Sequence, residues 1–488
     1  MSSDTLAPIR GPGPDSADTL RALLERQRSA QIQAGAPSAA TRIDRLNRCV
    51  DLLLSNTKEI TQALAQDFGT RSTEVSLLMD LAGPLAALKF ARRNVTRWMK
   101  PERRWTSPWI LSLLGAKATL HYQPKGVVGI VSPWNVPFHL VFAPLAGVLA
   151  AGNRAMIKPS ELTPATSSLM EQLVANAFSP DEVVVCTGGP DIAKAFSHLP
   201  FDHLVFTGGG AIARDVMRAA AENLVPLTLE LGGKCPAIVS STADISLAAR
   251  RIMNGKLLNA GQTCLAPDYV LVQKDKLSAF VQEAAAAVRQ FFPTLRDNPD
   301  YGSIISDRHA SRLRGYIADA RTSGATVLEL VPPGEAPLPP LSRKIAPTLI
   351  VNPSQDMAVL REEIFGPILP ILPYKDLDDA IQYINQRERP LGLYWFGMDV
   401  SEQKAVLANT TSGGVTINDV LYHVAQDELP FGGTGGSGFG VYGGREGFLE
   451  FSHRKAVYQQ LGRDIAPLRA LRPPYGRGIR AYLASQIK

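Results

Sequence analysis

Strands and helices alternate regularly along the chain between residues 126 and 231. Short apolar runs, several of them β-branched, are each followed by a segment whose apolar residues have helical spacing. The predicted strands are 126–131, 154–158, 183–185, 203–206 and 227–231. This alternation is typical of a doubly wound parallel sheet covered by helices. We therefore predict an α/β fold that binds its ligand at the carboxyl ends of these strands.

The rest of the chain points to a second large domain. A length of 488 residues is too great for one ordinary core. Apolar residues recur at helical spacing throughout residues 18–99. A second alternation of strands and helices covers residues 245–418, with predicted helices at 246–259 and 276–292. Residues 429–444 are dense in glycine and predict a loop with unusual backbone angles.

Composition excludes several classes of function. The net charge of +6 is a small basic excess for this length, and no Lys/Arg run is interleaved with aromatics as in a nucleic-acid groove. None of the seven histidines has metal-ligand spacing, so we assign no metal. The longest apolar stretch, 138–151, is too short to span a bilayer and predicts a buried helix. We expect neither a nucleic-acid nor a membrane partner.

The cysteines and the N-terminal residues indicate the cellular compartment. Four cysteines occur, Cys49, Cys186, Cys235 and Cys264, and none forms a CxxC pair. So few cysteines in so long a chain are typical of a reducing environment. The opening residues lack the apolar core of a signal peptide. We expect a cytoplasmic protein.

Two segments hold candidate catalytic groups. Cys264 follows a helical segment and a Gly-Gln-Thr turn, where it is either an inert buried cysteine or a thiolate nucleophile. Glu230 lies inside an apolar strand. It either pairs with Lys234 or acts as a general base, because an apolar pocket raises the pKa of a carboxyl toward neutrality.

Other candidates follow the predicted strands. Asn135, after the first strand, is either a turn residue or an amide donor to a developing oxyanion. Lys158 and Glu161 either form a surface salt bridge or hold ribose hydroxyls, and Ser160 between them suits a turn. The glycines 208–210 form either a tight turn or a phosphate site at a helix N-terminus. Glu363 and Phe365 stand either at a plain helix end or beside a ribose and a flat ring.

Taken together and in order, these segments resemble the aldehyde dehydrogenase superfamily over nearly the whole chain. The motifs are Trp-Asn at 134–135, Lys-Pro-Ser-Glu at 158–161, Phe-Thr-Gly-Gly at 206–209, Leu-Glu-Leu-Gly-Gly-Lys at 229–234, Gly-Gln-Thr-Cys at 261–264, Glu-Ile-Phe-Gly-Pro at 363–367 and Gly-Gly-Val-Thr-Ile-Asn at 413–418. The short N-terminal lead-in, residues 429–438 and Phe-Ser-His at 451–453 look most like the coniferyl aldehyde dehydrogenase branch, near the class 3 enzymes.

The resemblance implies a role for each matching residue. Cys264 would be the nucleophile, Glu230 the base that activates water, and Asn135 part of the oxyanion hole with the backbone N–H of Cys264. NAD, with NADP as an alternative, would be the cofactor. The residues implied in binding it are Trp134, Lys158, Ser160, Glu161, Gly208, Gly209, Leu231, Glu363 and Phe365.

Two positions depart from the family pattern. Gly209 stands where the family usually has serine, so a hydroxyl that can bond the pyrophosphate is missing. Ala213 stands where it usually has glycine, which could tighten the first turn of the following helix. Both departures bear on cofactor affinity and not on the chemistry.

The resemblance also implies that the chain is divided into two domains and a small oligomerisation element. We predict a Rossmann-type cofactor-binding domain of residues 1–117 and 132–231, with 419–448 packing back on it. We predict an α/β catalytic domain of 232–418, and a small β oligomerisation element of 118–131 and 449–488. A split β element leaves open strand edges, so a homodimer or homotetramer is expected.

The expected reaction is NAD(P)-dependent oxidation of a small-molecule aldehyde to its acid through a Cys264 thioester. The branch favours hydrophobic or aromatic aldehydes resembling coniferyl aldehyde. One alternative is a CoA-acylating aldehyde dehydrogenase, which would not need Glu230, and another is a non-catalytic binding protein on the same fold. Candidates for the substrate tunnel, or for ordinary packing, are Tyr394, Trp395, Leu421 and Tyr422.

Overall fold

The structure of the chain is a computed structural model that describes residues 16–487. The first fifteen residues of the predicted cofactor-binding domain, including most of the segment judged not to be a signal peptide, lie outside it, as does residue 488. The strands are β1 Glu102–Arg104, β2 Lys117–Pro124, β3 Val127–Val131, β4 Arg154–Lys158, β5 Val183–Val185, β6 His203–Gly208, β7 Leu227–Leu231, β8 Pro236–Val239, β9 Tyr269–Gln273, β10 Thr326–Glu329, β11 Thr348–Val351, β12 Ile368–Tyr374, β13 Gly392–Phe396, β14 Gly414–Ile417, β15 Gly438–Phe439 and β16 Ser452–Gln459.

Helices cover the sheets and form the N-terminal segment. They are α1 Ala17–Ala34, α2 Ala39–Ser55, α3 Thr57–Phe68, α4 Thr73–Ser76, α5 Gly83–Trp98, α6 Ile110–Leu113, α7 Pro137–Ala151, α8 Pro164–Ala177, α9 Pro190–Ser197, α10 Gly210–Glu222, α11 Ile245–Leu257, α12 Leu277–Phe291, α13 Asp307–Thr322, α14 Ala358–Arg361, α15 Leu377–Asn385, α16 Val400–Asn409, α17 Gly444–Glu450, α18 Ala466–Arg469 and α19 Arg477–Gln486. The long apolar stretch is α7, which is almost wholly buried and packs against α2 and α5. Over residues 16–487, no helix is both long and apolar enough to cross a bilayer.

A six-stranded sheet in the order β15-β7-β6-β3-β4-β5 confirms the predicted doubly wound pattern. All of its pairs are parallel except the one between β15 and β7. The chain proceeds outward from β3 through β4 to β5, then returns to β6 on the other side of β3. This reversal opens a crevice at the carboxyl ends of β3 and β6. Residues 134–135 and 208–210 follow those two strands and so meet at the crevice.

A seven-stranded sheet forms the second α/β layer, in the order β10-β11-β12-β9-β8-β13-β14. Only β10 is antiparallel to its neighbour. The chain passes from β7 of the first sheet to β8 of the second through residues 232–235. All seven strands lie within 232–418, the range predicted for the catalytic domain. The crossing places residues at the end of β7 close to those that precede β9.

The predicted bounds of the oligomerisation element are wrong at residues 127–131. Residues 127–131 were assigned to the oligomerisation element, but they form β3 at the centre of the six-stranded sheet, between β6 and β4. The physical reason is burial, since β3 is buried at all but one of its positions whereas β2 is half-exposed along its length. Gly126, with φ +142°, separates the two strands.

The smaller unit contains a three-stranded sheet in the order β1-β2-β16. The compact units are Met1–Trp98 with Pro124–Ser452, and Met99–Gln123 with His453–Lys488. Residues 449–452, predicted in the oligomerisation element, therefore fall in the larger unit. Residues 99–117, predicted in the cofactor-binding domain, fall in the smaller unit. Strand β1 was missed because three charged residues, Glu-Arg-Arg, have no apolar alternation to mark them.

Candidate active site

A sharp turn after α11 places Cys264. The backbone enters the left-handed region at three successive residues, Asn259, Ala260 and Gly261, with φ of +51°, +53° and +76°. A Cβ at Gly261 would collide with the carbonyl of Gly366, so only glycine fits there. Non-glycine residues in this region cost about 1–3 kcal/mol each, which the surrounding structure must support. Of the four cysteines, all within the described part of the chain, Cys264 is the one that is not buried.

The side chain of Gln262 fixes this turn. It is buried, and its amide nitrogen donates to the carbonyls of Asn259 and Ser303, both at 3.0 Å. Its amide oxygen accepts from the backbone N–H of Ile305 at 2.9 Å. The sequence marks Gln262 only as a member of the Gly-Gln-Thr-Cys motif, whereas burial of its amide requires these hydrogen-bond partners.

Asn135 is joined to the same turn. Its Nδ2 donates to the carbonyl of Gln262 at 3.1 Å, two residues before Cys264. Its own carbonyl accepts from Arg71 Nη1 at 2.8 Å and from Asn259 Nδ2 at 3.0 Å. An amide nitrogen carries two hydrogens, so one hydrogen of Asn135 Nδ2 is not used in its bond to Gln262.

A buried ion pair that the sequence did not reveal supports Asn135. Arg71 pairs with Asp80, and both side chains are almost completely buried. The other Asp80 oxygen accepts from the backbone N–H of Phe138 at the start of α7. Breaking such a pair costs several kcal/mol because the remaining charge is left uncompensated. The pair therefore holds the residues that follow β3 in place.

Glu230 is buried on β7, and it is not tied to Lys234. Lys234 pairs instead with Asp268 and donates to the carbonyls of Val359 and Glu362. Within residues 16–487, neither carboxyl oxygen of Glu230 accepts a hydrogen bond from the protein. Burial, together with the charge of Glu450, raises the pKa of Glu230 well above its usual value. The ion-pair alternative is thus wrong.

The negative charges of Glu230 and Glu363 act on the thiol of Cys264. Burial raises the pKa of the Cys264 thiol to about 12, and the negative charges of Glu363 and Glu230 add to the effect. Tyr442, which the sequence did not single out, is buried, and its pKa is raised by burial and by the charges of Glu230 and Cys264. The charge of Glu230 thus acts on the Cys264 thiol, and the side-chain bond of Asn135 ends at Gln262, two residues before Cys264.

The residues after β4 form a compact corner. Lys158 is buried, and its Nζ lies 3.8 Å from Glu161 Oε2 and donates to the carbonyl of Pro159 at 2.7 Å. Ser160 Oγ accepts from the N–H of Leu162 at 3.2 Å, which makes the predicted turn. The Glu161 side chain is 42% exposed, so its carboxylate can face a ligand in the crevice.

The glycines after β6 lead into α10. Gly209 is the N-cap, with no side-chain cap, and a Cβ built on it meets nothing within 4 Å. This uncapped N-terminus of a thirteen-residue helix, with open space beside its N–H groups, fits the pyrophosphate of a dinucleotide. A serine side chain would therefore fit at position 209, so steric exclusion does not explain the glycine found there. Ala213 donates to the Gly209 carbonyl at an ordinary 3.0 Å, so it does not tighten the turn.

Of the remaining cofactor candidates, Glu363 and Phe365 follow α14, whereas Leu231 is the last residue of β7. A Cβ at Gly232 would collide with the carboxylate of Glu363, so this glycine lets Glu363 lie against the β7–β8 crossing. Burial raises the pKa of Glu363 to about 7. Phe365, with φ +53°, packs edge-on to Trp134 at 5.4 Å between ring centres. The Leu231 side chain belongs to the core cluster around β6 and β7.

Two of the four tunnel candidates are buried, Trp395 and Tyr394, and Leu421 is half-buried. Trp395 is buried in the core of the second sheet. Tyr394 is also buried, and its hydroxyl donates to the carbonyl of Leu265, next to Cys264. Tyr422 is 61% exposed. Packing therefore accounts for Trp395, and Tyr394 serves to hold the backbone after Cys264.

Comparison with known proteins is consistent with this geometry. The family model described as "Aldehyde dehydrogenase family" matches residues 12–457. A "Probable coniferyl aldehyde dehydrogenase" of Caulobacter vibrioides is 60% identical over 96% of each chain. The solved structure of Staphylococcus aureus AldH in a substrate-bound state has a TM-score of 0.88 at 36% identity, covering 96% of this chain and 99% of that one. A Mycobacterium tuberculosis aldehyde dehydrogenase complexed with NAD⁺ has a TM-score of 0.81 at 28% identity, covering 92% of both chains. The resemblance found in the motifs is confirmed: the chain belongs to the aldehyde dehydrogenase family and is an oxidoreductase that converts aldehydes to carboxylic acids with NAD, NADP being possible.

Proposed function

We propose that this enzyme oxidises hydrophobic or aromatic aldehydes resembling coniferyl aldehyde, with Cys264 as nucleophile and Glu230 as the base for hydrolysis. The observation that supports the roles is that Cys264 is the partly exposed cysteine and follows by two residues the carbonyl to which Asn135 donates. The substrate class rests on the name of the 60% identical relative.

The side chains suit a thioester mechanism. The Cys264 thiolate attacks the aldehyde carbon, and the oxyanion accepts hydrogen bonds from the second N–H of Asn135 and the backbone N–H of Cys264. Bound NAD⁺ supplies the hydride acceptor and a positive charge that favours the thiolate. Glu230 then removes a proton from water as its oxygen attacks the thioester carbon, and the acid leaves as the carbon–sulfur bond breaks.

A second set of residues would hold the cofactor. In this proposal Lys158 and Glu161 bind the adenosine ribose, which their proximity to each other after β4 supports. The free N–H groups at the start of α10 would bind the pyrophosphate, and Glu363 the nicotinamide ribose, with Trp134 and Phe365 near the nicotinamide ring.

Glu230 is buried, and within residues 16–487 its two carboxyl oxygens accept no hydrogen bond. A carboxylate free to bind a water molecule favours hydrolysis over acyl transfer to CoA. A CoA-acylating enzyme needs no residue that activates water, whereas this chain buries a carboxylate whose charge raises the pKa of the Cys264 thiol. The structure therefore offers no support for the acylating alternative over the hydrolytic one.

The substrate class is tested by steady-state kinetics with a panel of aldehydes and both cofactors, followed at the absorbance of the reduced nicotinamide. We expect kcat/KM for coniferyl aldehyde to exceed that for acetaldehyde by about 100-fold, because an apolar pocket gains roughly 1–3 kcal/mol from each added apolar group. Preference for acetaldehyde, or turnover that requires CoA, would overturn the proposal.

Glu161 is expected to favour NAD over NADP. Its carboxylate lies beside Lys158, where the 2′-phosphate of NADP would meet a negative charge. In Glu161→Gln, kcat/KM for NADP relative to NAD should rise by about 10-fold, an effect of roughly 1.4 kcal/mol. Glu222→Gln, at the far end of α10, is the control and should leave the ratio unchanged. An unchanged ratio in Glu161→Gln would remove this residue from cofactor selection.

We also propose a cytoplasmic homodimer or homotetramer. The three-stranded sheet has β1 and β16 as its edges, and both expose most of their side chains. The same unit exposes the large apolar side chains of Trp105, Trp109 and Leu113. Open edges and exposed apolar groups favour association with another subunit. All four cysteines are free, which suits a reducing compartment.

A further inference from the structure

The backbone turn that carries Cys264 is held by two buried side chains from another part of the chain. Residues 263–266 form this turn, which is closed by a bond of 3.1 Å from the Ala266 N–H to the Thr263 carbonyl. We call these four residues the nucleophile turn. Its closing bond uses the carbonyl of its first residue, so the carbonyls of the two central residues, Cys264 and Leu265, need donors from elsewhere.

Cys235 and Tyr394 supply these donors. The Cys235 thiol donates to the Cys264 carbonyl at 3.3 Å, and its sulfur accepts from the backbone N–H of Gly392, also at 3.3 Å. The Tyr394 hydroxyl donates to the Leu265 carbonyl at 2.5 Å. Cys235 immediately precedes β8, whereas Gly392 and Tyr394 lie on β13, which is a neighbour of β8 in the second sheet. Two adjacent strands thus hold the peptide groups on either side of Leu265.

Both side chains remain donors at neutral pH. Cys235 and Tyr394 are completely buried, and burial raises the pKa of each well above its usual value, so each keeps its hydrogen. The glycine at 392 makes room for them. A Cβ at Gly392 would lie 2.8 Å from the Tyr394 hydroxyl and 2.9 Å from Leu265 Cδ2, so a side chain there would displace the turn or its donor.

The peptide group between Cys264 and Leu265 also acts on the sulfur. Burial and the charges of two glutamates raise the pKa of Cys264, whereas the backbone N–H groups of Cys264 and Leu265 donate to its sulfur and lower it. The Leu265 N–H belongs to the same peptide group whose carbonyl accepts from Cys235. Donation to a carbonyl polarises its peptide group and strengthens the N–H as a donor. A series of bonds therefore leads from Gly392 through Cys235 to the sulfur of Cys264.

We propose that Cys235, together with Tyr394, holds the nucleophile turn in the orientation from which Cys264 attacks the aldehyde. The inference rests on the proposed role of Cys264 as nucleophile. Cys235 acts through the backbone of residue 264, so it is a positioning residue. Without its donor, the peptide group that follows Cys264 is free to rotate, which moves the sulfur and turns the Leu265 N–H away from it. The attack then slows, because it depends on the alignment of the reacting atoms.

Cys235→Ala tests the proposal, because it removes the thiol with a small change in volume. We expect the rate constant of the burst of reduced cofactor to be about 10-fold lower, less than the roughly 100-fold cost of a misplacement of 1 Å. The burst is the sensitive measurement, since attack by the thiolate belongs to the first half of the reaction. The steady-state kcat should fall by no more than the same factor. Both are measured by stopped-flow absorbance at saturating NAD.

A second measurement uses the enzyme without cofactor. Alkylation by iodoacetamide across a range of pH, assigned to Cys264 by mass spectrometry, reports the thiolate of that residue. In Cys235→Ala the rate at neutral pH should fall by about 5-fold, the effect of losing one hydrogen bond. The profile should move to higher pH, because the Leu265 N–H no longer stabilises the thiolate. The other titratable groups that act with Cys264 are unchanged in this variant, namely Glu230, Glu363, Tyr394 and Tyr442.

Two further variants test the bond itself. Cys235→Ser keeps a group that can donate to the Cys264 carbonyl, so it should stay within about 2-fold of wild type in both measurements. Tyr394→Phe removes the second donor and should slow the burst in the same direction. Cys49→Ala, which removes another completely buried cysteine, on α2, is the matched control and should behave as wild type.

A Cys235→Ala enzyme with a wild-type burst and alkylation profile would overturn the proposal, even if its melting temperature were lower. A Cys235→Ser enzyme as impaired as Cys235→Ala would overturn it as well. If Cys264→Ala is inactive but Cys235→Ala is not impaired, this inference fails and the proposed function stands. If Cys264→Ala turns over normally, the proposed function itself fails.

Discussion

Replacement of Cys264 by alanine is expected to lower kcat by about 10⁴-fold or more with every aldehyde and either cofactor. The sulfur forms the covalent bond on which both halves of the reaction depend, and removing a nucleophile of this kind typically abolishes turnover. The burst of reduced cofactor should disappear together with the steady state. Both are measured by stopped-flow absorbance.

Cys186→Ala is the matched control for that variant. Cys186 is also a free cysteine, but it is buried at the end of β5 and its pKa is raised to about 12 mainly by burial. Losing its sulfur should reduce stability slightly and leave kcat unchanged. A Cys264→Ala enzyme that keeps the burst, or a Cys186→Ala enzyme that loses it, would show that the wrong cysteine has been assigned.

The order of strands and helices was predictable because parallel strands buried on both faces are continuous apolar runs. Strand β3 and helix α7 illustrate this, since nearly every position in both is buried. The same rule separates β3 from β2, because β3 is a continuous apolar run buried at all but one position whereas β2 is half-exposed along its length. The predicted oligomerisation element went wrong where it joined these two strands into one segment, 118–131.

The candidate site was predicted from short motifs, but the residues that support it were not. Arg71 and Asp80 lie in the N-terminal helical segment, where a charged residue has the periodicity of a solvated helix face. Their function follows from burial against Asn135, a contact between residues 64 positions apart.

The Glu230→Gln variant is expected to separate the two halves of the reaction. Glutamine has nearly the same shape, so the site should keep its geometry, but it cannot accept the proton of water. Formation of the thioester does not need that proton transfer, so the burst should be retained. The steady-state rate should fall by about 10²–10³-fold, the range of a missing general base. Mass spectrometry of the quenched enzyme should then show the acyl group accumulating on Cys264, and the double variant Cys264→Ala/Glu230→Gln should show none. Steady-state turnover equal to wild type would remove Glu230 from hydrolysis, and loss of the burst would place it in thioester formation instead.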